Sequence, residues 1–128
     1  MKRLLLGLML LVTATAASAE WTVANVGDEF IQYLDKATIR RNGNFVKMWH
    51  LTDFKMVQTV AGQSNLSYKQ QLEYDCKEEK KRKLAHTWFN GQMGSGTVNY
   101  TDNRTEGWSP IEPGSVGKAL WKIACGKH

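Results

Sequence analysis

The chain has 128 residues, with 17 Lys or Arg against 12 Asp or Glu, so its formal charge at pH 7 is +5. A chain of this length buries one hydrophobic core and excludes a multidomain organisation. Its mild basicity is weak support for an anionic partner.

The first nineteen residues have the features of a cleaved secretory signal. Two basic residues precede an apolar run from Leu4 to Val12, and the small residues Ala17-Ser18-Ala19 end the segment. The run is too short to span a bilayer, and an A-x-A cleavage site follows it. We therefore expect residues 1–19 to be removed and residues 20–128 to form one exported domain, with no nucleic-acid partner and no membrane-spanning segment.

The first part of this domain predicts two strands and a hairpin. Glu20 to Val26 and Phe30 to Leu34 are rich in strand-forming residues, and Asp35 to Thr38 indicates a brief turn or single helical turn. The Asn42-Gly43 pair is a strong hairpin signal, because both residues tolerate positive φ. The strand after it, Phe45 to Phe54, has no cleanly polar face and should therefore be central in a sheet.

The middle of the domain predicts three more strands. After an expected loop from Ala61 to Asn65, the run from Leu66 to Cys76 alternates best and predicts a half-buried strand with Cys76 pointing inward. A charged turn leads to a strand from Arg82 to Asn90. A Gly-rich turn then leads to a short strand from Thr97 to Tyr100, and polar residues bridge to the C-terminal segment.

The C-terminal segment predicts an amphipathic helix capped by Ser115. Its apolar residues recur at i, i+3, i+4, i+7 and i+8, namely Val116, Ala119, Leu120, Ile123 and Ala124. Trp121 lies beside this face and Cys125 beyond it, which leaves Lys118 and Lys122 as the exposed stripe. Most of the helix should therefore be covered by a sheet.

The two cysteines, Cys76 and Cys125, are expected to form one structural disulfide. Cysteines in an exported chain are usually paired, and a redox role would favour a C-x-x-C motif, which this sequence lacks. The predicted fold is therefore an α+β domain. It consists mainly of an antiparallel β-sheet of five to seven strands, with a C-terminal α-helix packed on it and pinned by the disulfide.

Several short motifs carry a family resemblance. They are Tyr33-Leu34-Asp35 with Thr38-Ile39, Asn42-Gly43 before a Trp49-containing strand, Tyr74-Asp75-Cys76, Met93-Gly94-Ser95-Gly96, and Ile111-x-Pro113-Gly114-Ser115-Val116-Gly117-x-Ala119-Leu120-Trp121-x-x-x-Cys125. Over nearly all of residues 20–128 the chain thereby resembles the bacterial surface-adhesin protein E family. The resemblance implies a mostly antiparallel sheet, a helix pinned by this cysteine pair, and non-catalytic binding of host matrix or serum proteins.

One departure from the family concerns the membrane anchor. The adhesin that names the family carries a lipid anchor, whereas this chain has no cysteine at its predicted cleavage site. We therefore expect a free periplasmic or secreted protein.

Catalytic, metal and cofactor sites are not predicted. The three histidines, His50, His86 and His128, have no partner at metal-ligand spacing, although the first two could meet across adjacent strands. The Gly91 to Gly96 run is interpreted as a turn, because strand-like residues follow it where a phosphate loop or nucleophile elbow would need a helix. The five tryptophans, Trp21, Trp49, Trp88, Trp108 and Trp121, are assigned to the core rather than to a ligand platform.

The candidate binding residues are the five cations of the charged turn, Lys77, Lys80, Lys81, Arg82 and Lys83. Cations on a hairpin tip can grip an anionic glycan or an acidic protein patch, but such turns also serve solubility. Structural roles are assigned to Gly114, Ser115, Gly117 and Trp121.

Two functions follow from these features. The first is a binding module of the bacterial envelope, with a protein or anionic glycan as partner. The second is a periplasmic structural or accessory protein that acts through its sheet edge without a host ligand. A homodimer is compatible with either function.

Overall fold

The computed structural model describes residues 20–126, so the predicted signal segment and His128 lie outside the described residues. Six antiparallel strands lie side by side in chain order: β1 (Thr22–Val26), β2 (Phe30–Asn42), β3 (Phe45–Val60), β4 (Gln63–Asp75), β5 (Lys80–Phe89) and β6 (Val98–Asp102). A two-residue strand, β7 (Ser109–Pro110), pairs with the start of β5, and the helix α1 (Val116–Cys125) follows. The predicted α+β fold is confirmed.

Strand β2 continues where the sequence predicted a turn. The Asp35 side chain accepts a hydrogen bond from the Ala37 amide, and the Thr38 hydroxyl donates to the Asp35 carbonyl, which are turn-like contacts. The Thr38 hydroxyl also accepts from the Trp49 amide across the ladder. The segment is therefore a bulge, where the register with β3 shifts between Asp35 and Arg40, and the prediction that the strand ends there is wrong.

The hairpin between β3 and β4 is longer than predicted. Strand β3 runs to Val60 and β4 begins at Gln63, so only Ala61 and Gly62 turn the chain. Both residues have positive φ, which this tight turn requires. The predicted loop from Ala61 to Asn65 is thus mostly strand, because polar residues there still complete the backbone ladder.

The main core lies between the sheet and α1, on what we call the helix face. Its largest fully buried side chains include Tyr74, Leu34 and Met48, and Ile111 and Leu120 close it from the C-terminal side. Strand β3 supplies buried residues at alternate positions and is third in the sheet, which confirms its predicted central place.

The helix is rotated relative to the predicted orientation. Val116 and Ile123, which the apolar pattern placed in the core, are 43% and 39% exposed, whereas Trp121 and Cys125 are buried. The reason is that two directed bonds fix the rotation. Cys125 forms the predicted disulfide with Cys76, and the Trp121 indole donates to the Asp75 carbonyl at 2.9 Å.

The start of α1 confirms the predicted cap. The Ser115 hydroxyl accepts from the Lys118 amide at 3.1 Å, which satisfies one of the free amides of the first turn. Gly114 precedes it with a φ of 73°, a conformation that favours glycine. At Gly117 a Cβ would lie 3.2 Å from the Lys81 ammonium, so glycine leaves room for the end of this side chain beside the helix.

The opposite face of the sheet is covered partly by the loop between β5 and β6. The Ser67 hydroxyl donates to the Gly91 carbonyl and accepts from the Gly94 amide, and Leu51 is fully buried beside Gly94. The loop contains a short 3₁₀ helix (Gln92–Gly94) and leads into a strand, which confirms a turn at this position. Within residues 20–126, none of the helical segments is both long and apolar enough to cross a bilayer.

Candidate binding surface at the disulfide end

The five predicted binding cations are divided between the two faces of the sheet. Lys77 lies in the turn after β4, and the other four occupy the start of β5, where side chains alternate. Lys81 and Lys83 pair with Tyr74 and Leu72 on the helix face, whereas Arg82 pairs with Glu73 on the opposite face. The turn therefore does not present the five cations as a single cluster.

Arg82 has a fixed position on the opposite face. Its guanidinium contacts the Glu73 carboxylate at 2.6 Å and lies over the Trp108 ring, 4.4 Å from the ring centroid. Trp108 in turn packs beside Phe45, with 5.6 Å between ring centroids. This arrangement orders Arg82 through a partly buried ion pair and a cation–π contact.

Arg82 belongs to a row of charged residues that crosses four strands. Arg40 of β2 lies opposite Lys47 of β3, Lys47 lies opposite Glu73 of β4, and Glu73 lies opposite Arg82 of β5. We call these four residues the basic row. It places three cations around one carboxylate, so it keeps an excess of positive charge.

Two shallow depressions flank the start of β5. One lies on the opposite face beside the basic row and is lined by Arg40, Arg41, Asn42, Phe45, Lys47 and Glu73. The other lies towards the helix face and includes Lys81, Lys83, Gln70, Glu106 and Ser109 in its lining. Both are open grooves lined by cations, a shape that suits an extended or protruding anionic group.

Some of the acidic residues near the start of β5 already form ion pairs. Glu79 forms an ion pair with Lys118 of α1, which links the β4–β5 turn to the helix. Glu106 lies 3.7 Å from Lys83. Because Glu73 is paired with Arg82, its carboxylate does not compensate Arg40 and Lys47 fully.

The sequence pattern does not predict Arg40, Arg41 and Lys47 as binding residues. The adjacent arginines before the Asn42-Gly43 turn are a visible signal, but their relation to Glu73 depends on strand register. The bulge in β2 sets that register, since it moves Arg40 onto the same face as Lys47. The residues indicated a turn at Asp35 to Thr38, but not that the strand resumes after it with a shifted register.

His50 is a fully buried titratable group in the core. Burial, assisted by the positive charge of Lys81, lowers the pKa of His50 to about 4. Its Nε2 atom lies 2.9 Å from the Tyr74 hydroxyl, and its Nδ1 atom is buried without a hydrogen-bond partner. The ring is therefore neutral at pH 7. His50 and His86 do not lie on adjacent strands, because Gln70 of β4 pairs with His50 on one side and with His86 on the other.

Within residues 20–126, His, Cys, Asp and Glu side chains form no group of three that could hold a metal ion.

The tryptophans differ from the prediction, since only Trp121 is buried, whereas Trp21, Trp49, Trp88 and Trp108 are half-buried. They lie on an open sheet that has one covering helix, so most of their rings keep one exposed side.

Comparisons with known proteins give a family and a fold. The family described as Surface-adhesin protein E matches residues 21–126. A comparison with curated protein sequences gave no match. Among solved structures, crystal form II of Haemophilus influenzae protein E aligns with a TM-score of 0.63 and 13% identity, over 86% of this chain and 97% of that one. Protein E from non-typeable Haemophilus influenzae aligns with a TM-score of 0.60 and 12% identity, over 85% of this chain and 86% of that one.

Proposed function

Because the chain belongs to the surface-adhesin protein E family, we propose that it is an exported, non-catalytic binding protein of the bacterial envelope. Its partner is an acidic protein or an anionic glycan. This partner binds at the end of the sheet that carries the Cys76–Cys125 disulfide, which we call the disulfide end. The observation that carries this proposal is the basic row, where Arg40, Lys47 and Arg82 lie in register with the single carboxylate of Glu73 on four adjacent strands.

The rigidity of the surface supports binding. The basic row lies on four hydrogen-bonded strands rather than on a loop, so its cations keep their spacing without the partner. A preordered surface loses less conformational entropy when a partner binds. Phe45, which is 40% exposed, adds an apolar contact at the edge of the depression.

The predicted turn remains part of the proposed surface. Lys77 and Lys80 are exposed, and Lys81 and Lys83 line the second depression. An extended anionic chain that passes around the start of β5 would contact cations on both faces. Long-range attraction by this end also increases the association rate with an acidic partner.

The experiment compares charge reversals on the two faces. One variant carries Arg40→Glu and Lys47→Glu, and a second carries Lys80→Glu, Lys81→Glu and Lys83→Glu. Binding to heparin and to a basement-membrane extract is measured at low and physiological salt. Both variants should bind more weakly and lose most of the salt dependence, because fewer charges take part.

The matched control carries Lys55→Glu and Arg104→Glu, which reverse two exposed cations outside the basic row. It changes the net charge as much as the Arg40 and Lys47 reversal does, so it separates a local contact from a general charge effect. If the control variant lost as much binding as the test variants, the result would contradict a site at the disulfide end. Unchanged binding by both test variants would remove the basic surface from the function.

A second function is favoured by the edge strand β1, which leaves one of its sides unpaired within residues 20–126. Its Val23 and Val26 side chains are 55% and 64% exposed, so the strand can pair with a partner or with a second copy of the chain. A periplasmic accessory protein would use this edge. Antibody labelling of intact cells separates the two functions, because an adhesin is labelled and an accessory protein is recovered only from the periplasm.

A further inference from the structure

Six aromatic rings form a continuous line across the helix face, beyond the part that α1 covers. Ring centroids lie 6.5 Å apart for Phe30 and Phe54, 5.8 Å for Phe54 and Trp88, and 4.5 Å for Trp88 and Tyr68. The line continues from Tyr68 to His86 at 5.5 Å, and from His86 to Tyr100 at 5.6 Å. We call these six residues the aromatic row.

The aromatic row is open to solvent. Tyr100 is 39% exposed, and the other five rings are half-buried. The rings therefore pack against one another and against the sheet, but each keeps part of its surface in contact with water. A row of this kind is an apolar platform rather than a sealed core.

The surroundings of the aromatic row carry almost no net charge. Neither residues 56–68 nor residues 84–101, which form the β3–β4 hairpin tip and the β5–β6 loop with their flanks, contain Asp, Glu, Lys or Arg. The nearby Asp102 and Arg104 form an ion pair with 2.7 Å between Arg104 Nη2 and Asp102 Oδ2. Burial, followed by the charge of Lys83, lowers the pKa of His86 below its ordinary value, so this ring is neutral at pH 7. An uncharged ligand is therefore the complementary one.

The dimensions of the row suit a chain of flat units. Its rings come from the five adjacent strands β2 to β6, and strands lie about 4.8 Å apart, so the row extends over roughly 19 Å. This strand spacing is comparable to the length of one pyranose ring. The amide side chains of Gln32 and Gln70 lie on the same face and can exchange hydrogen bonds with sugar hydroxyls.

We infer that the aromatic row is a binding site for a neutral linear oligosaccharide, whose pyranose rings stack on successive aromatic side chains. The site lies away from the basic row and does not depend on the anionic partner proposed above. Stacking supplies apolar contact to the C–H faces of the sugars, and the polar side chains beside the row supply orientation.

An extended peptide fits this surface less well. Peptides that join a sheet bind at an edge, where backbone groups are free, whereas the aromatic row crosses the middle of a paired ladder. A highly charged glycan also fits poorly, because the one ammonium over the row, that of Lys83 at 5.5 Å from the Tyr68 ring centroid, already lies beside Glu106. A neutral saccharide is the ligand that needs neither a free edge nor a countercharge.

The test is calorimetric titration of residues 20–128 with chitohexaose, cellohexaose and maltohexaose. At least one should bind, with an affinity that does not change between low and high salt. Tyr100→Ala should weaken binding by about tenfold, because it removes one stacking ring from an edge strand. Trp88→Phe should keep binding within a few-fold of the wild type, because it retains an aromatic ring.

Tyr33→Ala is the matched control, since Tyr33 is a half-buried tyrosine on the opposite face of the sheet. Its affinity for the hexasaccharide should equal that of the wild type, and thermal unfolding should verify that both tyrosine variants are folded. Equal losses in Tyr33→Ala and Tyr100→Ala would overturn the inference. It would also be overturned if none of the three sugars bound, or if a heparin hexasaccharide or an uncharged peptide bound more tightly at the row.

Discussion

At the disulfide end the helix face is covered by α1. At the other end of the sheet, which carries the aromatic row and which we call the far end, the same face is covered only by its own aromatic side chains. Trp121 at the first end is 4% exposed, and Tyr100 at the second is 39% exposed. The ten residues of α1 extend about 15 Å, while the sixteen residues of β3 extend about 50 Å. One short helix therefore cannot cover strands of this length.

This difference separates stability from recognition along a single sheet. The covered end holds the disulfide, the indole hydrogen bond and the main core, so most of the free energy of folding should come from there. The far end retains half-exposed rings that a fully covered sheet would hide. Three experiments test this division, in order of the expected effect.

The largest effect should come from Trp121→Ala, compared with Trp88→Ala at the far end. Trp121→Ala should lower the free energy of unfolding by about 4 kcal/mol, because it empties a buried site and leaves the Asp75 carbonyl without its indole donor. Trp88→Ala should cost roughly half as much, since its ring is only half-buried. Urea unfolding measures both values, and equal losses would contradict the division between the ends.

Removal of the disulfide should have the next largest effect. The double variant Cys76→Ser and Cys125→Ser opens a loop with a sequence separation of 49 and should lower stability by about 3 kcal/mol, chiefly through the unfolded chain. Thermal unfolding of this variant and of reduced wild type should agree. Hydrogen exchange should accelerate first in α1, and an equal acceleration in β6 would show that the far end also depends on the bond.

A smaller, pH-dependent effect should come from His50 at the inner border of the covered end. Its folded pKa of about 4 lies below the ordinary value of 6.5, so the unfolded state binds the proton first as pH falls. The contribution of neutral His50 is therefore complete above pH 6.5 and is lost as pH falls towards about 4, by roughly 3 kcal/mol.

His50→Gln is the control for this pH effect, because glutamine can still bond to the Tyr74 hydroxyl but does not titrate. Chemical unfolding at several pH values should show a flatter profile for the variant over this interval. Parallel profiles would mean that carboxylates elsewhere, rather than His50, set the acid sensitivity.

The features that the sequence predicted well are those with local signals. The hairpin at Asn42-Gly43 and the Ser115 cap each depend on a few adjacent residues, and both are present. The two turn residues are Gly43 and Asn44 rather than Asn42 and Gly43, and of these only Gly43 has a positive φ. The disulfide followed from having only two cysteines, one in the best strand and one in the helix. The rotation of α1 was mispredicted, because apolarity alone cannot reveal that a disulfide and the Trp121 bond determine which face is buried.

The two surfaces with proposed binding roles could not be predicted, since each joins residues from several strands. The basic row needs the β2 bulge to place Arg40 opposite Lys47, and the turn signal at Asp35 to Thr38 does not show that the strand continues beyond it or in which register. The aromatic row needs the relative register of five strands, including a shift between Trp88 and Phe89. Periodicity assigns a side chain to a face but not to a neighbour two strands away.

The disulfide has a further consequence for an exported protein. The covalent loop from Cys76 to Cys125 contains β5, β6 and the exposed segment around Met93. A protease that cuts the backbone within this loop leaves two fragments joined through sulfur, so the nicked molecule keeps its mass on a non-reducing gel. Strand β5 keeps its ladder with β4 after such a cut. The same bond that pins the helix thus makes the protein tolerant of a single cleavage in this loop.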